Sequence, residues 1–352
     1  MGFLRNSWYA AGWAADLTDR PLGRTFLGEH VVLFRRQDGR PAALTDRCPH
    51  RFAPLSLGKV VGDQIACPYH GLRFDASGAC RHSPHTDPTI PNAARLRAYP
   101  VAERHGMLWI WMGEPERADE SLIVDYSLLD DTTGYAWVFG TLHVKGHYEL
   151  VTDNLLDLSH AEFLHPALAQ DGIVGRTIYR GERDGDTVYA FNETVDEKLP
   201  PLFKPMWDKS ERVRLRSNMR WDAPGNLLLD TGFAGVGEDW STGLTLPTAH
   251  ILTPETETTT HYFWASGRDF ALGSPEVGAA MREGLTQAFK NEDEPMIAAI
   301  QSRMDRPDLL AMRPALLAID TAVVLARRIL ARRIAEEQKA VLQSARMPEP
   351  AK

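Results

Sequence analysis

Two short motifs, each with one cysteine and one histidine, constrain this chain more than any other feature. They are Cys48-x-His50 and Cys67-x-x-His70, with sixteen residues between His50 and Cys67. One class of two-iron, two-sulfide cluster binds one iron through two thiolates and the other through two imidazoles. Zinc also accepts two cysteines and two histidines, but finger-type zinc sites usually group cysteine with cysteine and histidine with histidine. The mixed pairs therefore favour an electron-transfer cluster.

A second group of potential metal ligands lies in the middle of the chain. His160 and His165 fall in an apolar segment, 151–166, whose pattern is typical of a helix. Two imidazoles at this spacing converge on one ion if the helix is distorted between them. Non-heme iron oxygenases combine two histidines with one carboxylate and leave positions open for dioxygen and substrate. The acidic run 292–294 supplies a candidate carboxylate. Taken alone, such a run is more typical of a solvated face, and the histidine pair is as often structural.

Together these motifs resemble the oxygenase component of Rieske non-heme iron monooxygenases. The resemblance is greatest to the group of vanillate and dicamba O-demethylases and toluenesulfonate methyl-monooxygenases. It extends from Asn6 to about residue 335 and is carried by segments 48–55, 67–72, 153–165 and 292–293. It implies two cofactors, a [2Fe-2S] Rieske cluster and a mononuclear Fe(II). The implied cluster ligands are Cys48, His50, Cys67 and His70, and the implied iron ligands are His160, His165 and Asp293.

The resemblance also implies how electrons reach the iron. Asn154 is expected near the iron as a distant or second-shell group. Asp157 precedes His160 by one helical turn, so its carboxylate should be within reach of that imidazole. In the family this aspartate bridges to a cluster histidine of the neighbouring subunit, which here pairs Asp157 with His70 across an interface. The implied assembly is a ring, usually a trimer. Alternatively, Asp157 pairs with a solvent-facing cation.

The length of 352 residues predicts two domains, and the pattern of apolar residues is typical of an α+β chain. Residues 1–115 carry short alternating segments typical of strands and are expected to form an all-β Rieske domain. The resemblance implies that residues 116–345 form a helix-grip (START-like) catalytic domain, in which C-terminal helices grip a curved antiparallel sheet. Those helices are predicted over 275–303 and 319–343. The polar tail 346–352 is predicted to be disordered.

Composition excludes several classes of protein. The chain has 352 residues, of which 43% are hydrophobic, and it contains no run of eighteen apolar residues for a membrane span. A formal charge of −8 argues against nucleic acid as a partner. The N-terminus lacks a basic and then apolar leader, so a cytoplasmic location is expected. Two of the three cysteines belong to the cluster motifs, which leaves Cys80 as an unpaired structural thiol.

The substrate pocket is expected between the sheet and the helix that carries Asp293. Its candidate wall residues are His250, Asp230, Trp264 and Gly284. By resemblance, His250 hydrogen-bonds the polar end of the substrate, although a buried core histidine is nearly as typical. Gly284 stands where dicamba-type enzymes carry a tryptophan, so the pocket is expected to be wider there or filled differently.

Asp230 has two interpretations. It either caps a strand turn or faces the pocket. An ionised carboxylate facing the pocket would repel a substrate carboxylate by about 1 kcal/mol at about 4 Å in bulk water, and by several-fold more in a drier site. That would favour a phenol or an amine as substrate over an aryl acid.

The resemblance implies O2-dependent O-demethylation of a vanillate-like methoxylated aromatic compound, with release of formaldehyde. The alternatives are hydroxylation of a methyl group, ring dihydroxylation, and an electron carrier without catalysis. The chain contains no dinucleotide fingerprint and no plant-type ferredoxin cysteine set. A separate ferredoxin, an NAD(P)H-dependent reductase, or both are therefore expected as partners.

Overall fold

The computed structural model describes residues 2–86, 89–306 and 308–344. The predicted disordered tail, 346–352, lies outside the described residues. Among the described residues, no helix combines the length and the apolar character needed to cross a membrane.

The chain divides into two compact units. One unit is Arg5–Asp125 with Thr253–Thr256, and the other contains Tyr126–Leu252 and the chain from Glu257 onward. The boundary at residue 115 expected from the sequence lies ten residues before this division. One physical reason is that the Trp8 indole N–H donates a hydrogen bond to the Asp119 carbonyl at 2.8 Å. This contact holds the segment after residue 115 to the N-terminal unit.

The N-terminal unit consists of small antiparallel sheets. Its strands are β1 (Trp8–Trp13), β2 (Leu22–Phe26), β3 (Glu29–Arg35), β4 (Pro41–Thr45), β5 (Lys59–Val61), β6 (Gln64–Ala66), β7 (Arg73–Asp75), β8 (Cys80–His82), β9 (Ala98–Tyr99), β10 (Val101–Arg104) and β11 (Met107–Trp111). They form the sheets β1-β11-β10, β2-β3-β4-β9 and β5-β6-β7-β8. Val32, Phe34 and Phe74 pack with Cys48 and Cys67 in one buried cluster. The core of this unit therefore holds both cysteines of the motifs, and its all-β architecture is confirmed.

The second unit is organised around one seven-stranded antiparallel sheet. Its strands are β12 (Ala136–Val144), β13 (Ile178–Asp184), β14 (Thr187–Lys198), β15 (Arg212–Asp222), β16 (Asn226–Gly235), β17 (Leu244–Pro254) and β18 (Thr260–Arg268). Their order is β12-β18-β17-β16-β15-β14-β13. Strands β13 to β18 thus form a meander, and β12 completes the sheet by pairing with β18. The intervening chain between β12 and β13 carries His160 and His165.

The segment with these histidines is not one continuous helix. Helix α1 (Tyr148–Leu156) ends before Asp157, whose backbone is extended, with φ −110° and ψ 91°. A 3-10 turn, Leu158–His160, and the short helix α2 (Ala161–Leu164) follow. The Asp157 side chain accepts a hydrogen bond from the Ser159 N–H at 3.0 Å and so begins the new turn. The break in the helix therefore lies before both histidines.

The C-terminal helices also depart from regular geometry at one point. Helix α3 (Pro275–Thr286) continues through a π-helical turn, Gln287–Asp293, into helix α4 (Glu294–Gln301). Such wide turns are rare and are frequent at functional sites. The last helix, α5 (Thr321–Ser344), buries an apolar stripe that includes Val323, Ala326, Ile329 and Ile334. The prediction of an α+β fold with C-terminal helices on an antiparallel sheet is confirmed.

A buried ion cluster joins α5 to α1. Arg327 is 4% exposed. Its guanidinium donates to the Asp153 carboxylate at 2.6 Å and to the Glu149 carboxylate at 2.8 Å. Burial raises the pKa of Glu149 to about 7, although the Arg327 charge opposes that rise. Since Asp153 directly precedes Asn154, this cluster fixes the end of α1 that faces the histidines.

We expect Arg327→Met to destabilise the second unit by about 3–5 kcal/mol, because two carboxylates would remain buried without their cation. Urea unfolding followed by tryptophan fluorescence measures the effect. The matched control is Arg332→Met on the same helix, since Arg332 is half-exposed and its partners are the exposed carboxylates of Asp186 and, at 3.2 Å, Glu336. The loss of stability in Arg332→Met should stay below about 1 kcal/mol. Equal losses in the two variants would contradict the proposed importance of the buried cluster.

Candidate metal centres and substrate cavity

The first Cys-His motif lies in a tight loop after β4. The Cys48 N–H donates to the Ala53 carbonyl at 2.9 Å, and the Phe52 N–H donates to the Cys48 carbonyl at 2.9 Å. Phe52 has a φ of 61°, a left-handed conformation that is costly for a bulky side chain. The Arg47 guanidinium lies 4.4 Å from the centre of the Phe52 ring, and this cation-π contact helps to hold the loop.

The second motif repeats the same backbone frame after β6. The Cys67 N–H donates to the Leu72 carbonyl at 2.8 Å, and the Gly71 N–H donates to the Cys67 carbonyl at 3.1 Å. Gly71 has a φ of 73° and, like Phe52 in the first loop, lies four residues after the cysteine. The two loops are therefore near copies, although the histidine comes one residue later in the second.

The side chains of the two loops meet in an asymmetric arrangement. Cys48 and Cys67 are 1% and 4% exposed, whereas His50 is exposed and His70 is half-buried. The imidazole rings of His50 and His70 lie with their centres 4.6 Å apart. Burial raises the pKa of the Cys48 thiol to about 11, and the neighbouring Cys67 adds to the rise. Two adjacent buried thiols beneath two adjacent surface imidazoles match the ligand set of a cluster with one iron at the surface.

The second group converges around one carboxylate oxygen. Asp293 Oδ1 lies 3.1 Å from His165 Nε2 and 3.4 Å from His160 Nε2. The three candidate ligand atoms all lie within 4.8 Å of one another. Asn154 Nδ2 donates to the same Asp293 oxygen at 3.0 Å. The structure thus brings together His160, His165, Asp293 and Asn154, four residues singled out from the sequence.

The outer nitrogens of both imidazoles are held by oxygen acceptors. His160 Nδ1–H donates to the Asp157 main-chain carbonyl at 2.5 Å, and His165 Nδ1–H donates to Glu292 Oε2 at 2.6 Å. Since both N–H groups are used there, the Nε2 lone pairs point toward the Asp293 carboxylate. Three electron-rich atoms face one another at this distance favourably only with a cation among them, so the geometry fits a divalent metal.

The hydrogen-bond partners of the two imidazoles differ in two details from those expected from the sequence. The Asp157 carboxylate was expected beside His160, but the main-chain carbonyl makes that contact, because α1 ends one residue before Asp157 and the helical turn is broken. Glu292 was not identified as the partner of His165. Its position next to Asp293 in the acidic run was the available signal.

The electrostatics of the group favour a bound cation. When the imidazoles are also protonated at Nε2, His160 and His165 donate hydrogen bonds to Asp293. Burial alone would raise the pKa of Asp293, but these hydrogen bonds hold it below its usual range. Burial alone would lower the pKa of His165, but Asp293 and Glu292 raise it. The site therefore stabilises an ionised carboxylate and positive charge on the imidazole side, a balance that a divalent metal also satisfies.

Comparison with known proteins agrees with both centres. Residues 7–100 match the Rieske [2Fe-2S] domain, and residues 144–336 match the vanillate O-demethylase oxygenase C-terminal domain. The chain is 40% identical to the oxygenase component of chloroacetanilide N-alkylformylase from Rhizorhabdus wittichii, over 95% of this chain and 97% of that one. It is 38% identical to the oxygenase component of dicamba O-demethylase from Stenotrophomonas maltophilia, over 93% and 97%. A crystal structure of dicamba monooxygenase superposes with a TM-score of 0.91 at 36% identity, covering 96% of this chain and 99% of that one.

The chain belongs to the vanillate O-demethylase oxygenase family. It is the oxygenase component of a Rieske non-heme iron monooxygenase, and its cofactors are a [2Fe-2S] Rieske cluster and a mononuclear iron. Two of the relatives are named as the oxygenase component or oxygenase subunit of their enzyme. The resemblance described from the sequence is confirmed.

The oxygenase has a cavity of about 210 Å³ next to the three iron-site residues. Its wall combines side chains from the sheet with side chains from α3 and the π-helical turn, such as Met281 and Phe289. Apolar residues dominate the wall. Of the four substrate-binding candidates from the sequence, only His250 borders this cavity.

His250 is held in one orientation. It is 1% exposed, and its Nδ1 lies 2.6 Å from the Tyr262 hydroxyl oxygen. Its Nε2 has no hydrogen-bond partner among the described residues. Burial lowers the pKa of His250 to about 3, so the ring is neutral near pH 7. A neutral imidazole with one unused nitrogen can make a hydrogen bond to a polar group in the cavity.

The structure places Asp230 away from the cavity. Its neighbours on β16, Leu229 and Thr231, border the cavity, and successive side chains of a strand point to opposite faces. On the outer face Arg216 donates two hydrogen bonds to the Asp230 carboxylate, at 2.7 and 3.0 Å. The repulsion of a substrate carboxylate considered from the sequence therefore does not arise from Asp230.

Trp264 and Gly284 also lie behind the wall. The Trp264 ring packs behind Phe289, with ring centres 6.0 Å apart, and Phe289 borders the cavity. At position 284 the wall is formed by the next residue, Leu285. A Cβ at Gly284 would lie 3.5 Å from Leu202 Cδ1, an ordinary contact distance. Position 284 therefore has room for a Cβ, and Leu202 borders that space.

We expect Glu292→Gln to weaken iron binding about 10–100-fold, because the neutral amide is a weaker acceptor for His165 Nδ1–H. Retention of the mononuclear iron during titration with a chelator measures this. Glu294→Gln is the matched control, since the contact to His165 comes from Glu292. The cluster's visible spectrum should stay the same in both variants. Iron loss in the control as large as in Glu292→Gln would exclude a specific role for the His165 contact.

Proposed function

We propose that Cys48, His50, Cys67 and His70 bind the Rieske cluster, and that His160, His165 and Asp293 bind the mononuclear iron. The observation that carries the second assignment is the convergence of the two Nε2 atoms and Asp293 Oδ1 within 4.8 Å. Asn154 supports it by donating to Asp293 and so fixing the carboxylate. The near-identical loops around the two cysteines support the first.

We propose O-demethylation of a methoxylated aromatic compound as the reaction. The named activities of relatives support it, including a vanillate O-demethylase oxygenase subunit from Pseudomonas sp. that is 30% identical over 96% of this chain. When bound, the iron would use dioxygen with two electrons and two protons to hydroxylate the methyl carbon and release water. The resulting hemiacetal collapses to a phenol and formaldehyde.

The residues of the chain contribute binding, orientation and exclusion of water. The apolar wall surrounds the aromatic ring, and His250 Nε2 hydrogen-bonds the polar end of the substrate. Asn154 holds the Asp293 carboxylate, and Glu292 holds His165. Positioning of the C–H bond matters because a misplaced substrate would leave the oxidising equivalents to be lost as peroxide.

Hydroxylation of a methyl group is the second candidate. A relative from Comamonas testosteroni, 35% identical over 87% of this chain, is a toluene-4-sulfonate monooxygenase subunit. The same site would hydroxylate either carbon, and the product distinguishes them. A methoxy group gives formaldehyde, a ring-bound methyl group gives an alcohol, and ring dihydroxylation would incorporate both oxygen atoms.

Asp293→Ala should abolish substrate-dependent formaldehyde release and lower the iron content by about one third, because one of three irons is lost. The assay uses methoxybenzoates, methoxyphenols and methoxybenzamides with a surrogate reductase. Acid-labile sulfide and the cluster spectrum should remain at the wild-type level. Loss of the cluster spectrum instead would mean that Asp293 does not serve the mononuclear iron.

We further propose that the oxygenase forms a homotrimer in which Asp157 couples to His70 of the next subunit, and that it is cytoplasmic. The surface around His70 supports the interface, because Phe52 and Tyr69 are 61% and 65% exposed. Exposed aromatic side chains beside a cluster are typical of a surface that another chain covers. The Asp157 carboxylate is half-buried, so one more partner can still reach it.

A mixed assembly tests transfer between subunits. An Asp293→Ala chain keeps its cluster, and a Cys67→Ser chain keeps its iron site. If electrons cross the interface, coexpressed chains should recover part of the activity that each variant lacks alone. Adding Asp157→Asn to the Cys67→Ser chain should remove that recovery. Absence of any recovery in verified mixed trimers would support transfer within one chain.

A further inference from the structure

We infer that the cavity is built for an uncharged substrate, such as an aromatic ether or amide, rather than for an aryl carboxylate. This rests on the proposed demethylation and names the substrate class of the same site. It follows from the charges and hydrogen-bond donors at the cavity wall.

The described residues of the wall offer no available cation. Besides the iron-site residues, the ionisable side chains among the wall residues are His250, Tyr179 and Arg216. Arg216 is a wall residue, but its guanidinium donates to the Asp230 carboxylate at 2.7 Å and lies 4.4 Å from the centre of the Trp240 ring. Its charge is therefore already paired with a carboxylate.

The neutral polar groups of the wall are largely used by one another. Thr248 and Ser266 hydroxyls lie 2.9 Å apart. The Asn192 amide donates to the Ser217 carbonyl at 2.8 Å. The Thr177 hydroxyl likewise donates to the Ile173 carbonyl at 2.9 Å. The hydrogen-bond donors that remain for a ligand are uncharged hydroxyl and amide groups.

His250 cannot replace the missing positive charge. The ring is neutral near pH 7 because it is buried, and Tyr262 occupies its Nδ1. Its Nε2 can serve one polar atom of a ligand, such as an ether, carbonyl or hydroxyl oxygen. A carboxylate transferred from water to this wall would lose much of its hydration and regain hydrogen bonds from neutral groups only, which is unfavourable for a buried charge.

The rest of the wall suits an apolar ring with alkyl substituents. Leu168, Ile173, Leu202, Phe203, Met206 and Leu246 all border the cavity. These side chains come from both the sheet and the loops that cover it. Contact with these side chains favours transfer of a neutral aromatic ring out of water, and it gives an anion no compensating interaction.

Matched ligands that differ mainly in charge test the inference. The holoenzyme is titrated with 2-methoxybenzamide and 2-methoxybenzoate, and with the 3- and 4-methoxy pairs. Binding is read from the change in the electron paramagnetic resonance spectrum of the nitric oxide adduct of the mononuclear iron, which requires no turnover. We expect the preferred amide to bind about tenfold or more tightly than its benzoate, a difference of about 1.4 kcal/mol or more. Equal or tighter binding of the benzoates, or no binding by any amide, would overturn the inference.

Formaldehyde release separates this inference from the proposed reaction. If the amides bind more tightly but release no formaldehyde, the substrate class stands and O-demethylation fails. If an amide and its benzoate both yield formaldehyde with equal kcat/KM, the preference for neutral substrates fails and O-demethylation stands.

A charge introduced into the wall gives an independent check. Thr231 borders the cavity from β16. Thr231→Lys should tighten benzoate binding about tenfold relative to the benzamide, because an ammonium becomes available. Valine has nearly the same shape as threonine and carries no charge, so Thr231→Val should retain the wild-type preference. The cluster spectrum and circular dichroism establish that each variant is folded. A folded Thr231→Lys variant with an unchanged preference would count against the inference.

Discussion

The meeting of His160, His165 and Asp293 is the constraint on which the second unit depends. The histidines and the carboxylate are separated by more than a hundred residues, so the fold must bring two distant segments to within hydrogen-bond distance. The break at Asp157 turns both imidazoles to one side, and the π-helical turn delivers Asp293 from the other. The Arg327 cluster then ties the first of these segments to α5. Local irregularity thus creates the site, and buried charge holds one side of it in place.

The parts of the site that the sequence predicts are those set by short spacing and by residue chemistry. The two Cys-His motifs are local, and their loops adopt one shared hydrogen-bond frame. The fold class is predictable for the same reason, because the strand and helix patterns are also local. The break before His160 was harder to locate, because the apolar period of 151–166 continues across it. At this break the hydrogen bond from the Ser159 N–H to the Asp157 side chain, and not the helical period, determines the backbone geometry.

The cavity wall was the least predictable part, for a geometric reason. In a strand, a shift of one residue moves a side chain to the opposite face of the sheet. Asp230 lies between two residues that border the cavity and is itself on the other face, paired with Arg216. Trp264 lies behind Phe289. This arrangement is determined only by the position of the π-helical turn that carries Phe289. Sequence pattern finds the sheet but does not give the register of each side chain relative to the iron.

Charge is distributed in opposite ways around the two centres. In the N-terminal unit the thiols are buried and the imidazoles reach the surface, so electrons can enter or leave through the histidine side. In the second unit buried charge lies at the iron site and in the Arg327 cluster, and the cavity wall is mostly apolar. An apolar wall excludes water and strengthens each remaining electrostatic contact. The one hydrogen-bonding atom that His250 offers there therefore has a large influence on how a substrate is oriented before the reaction.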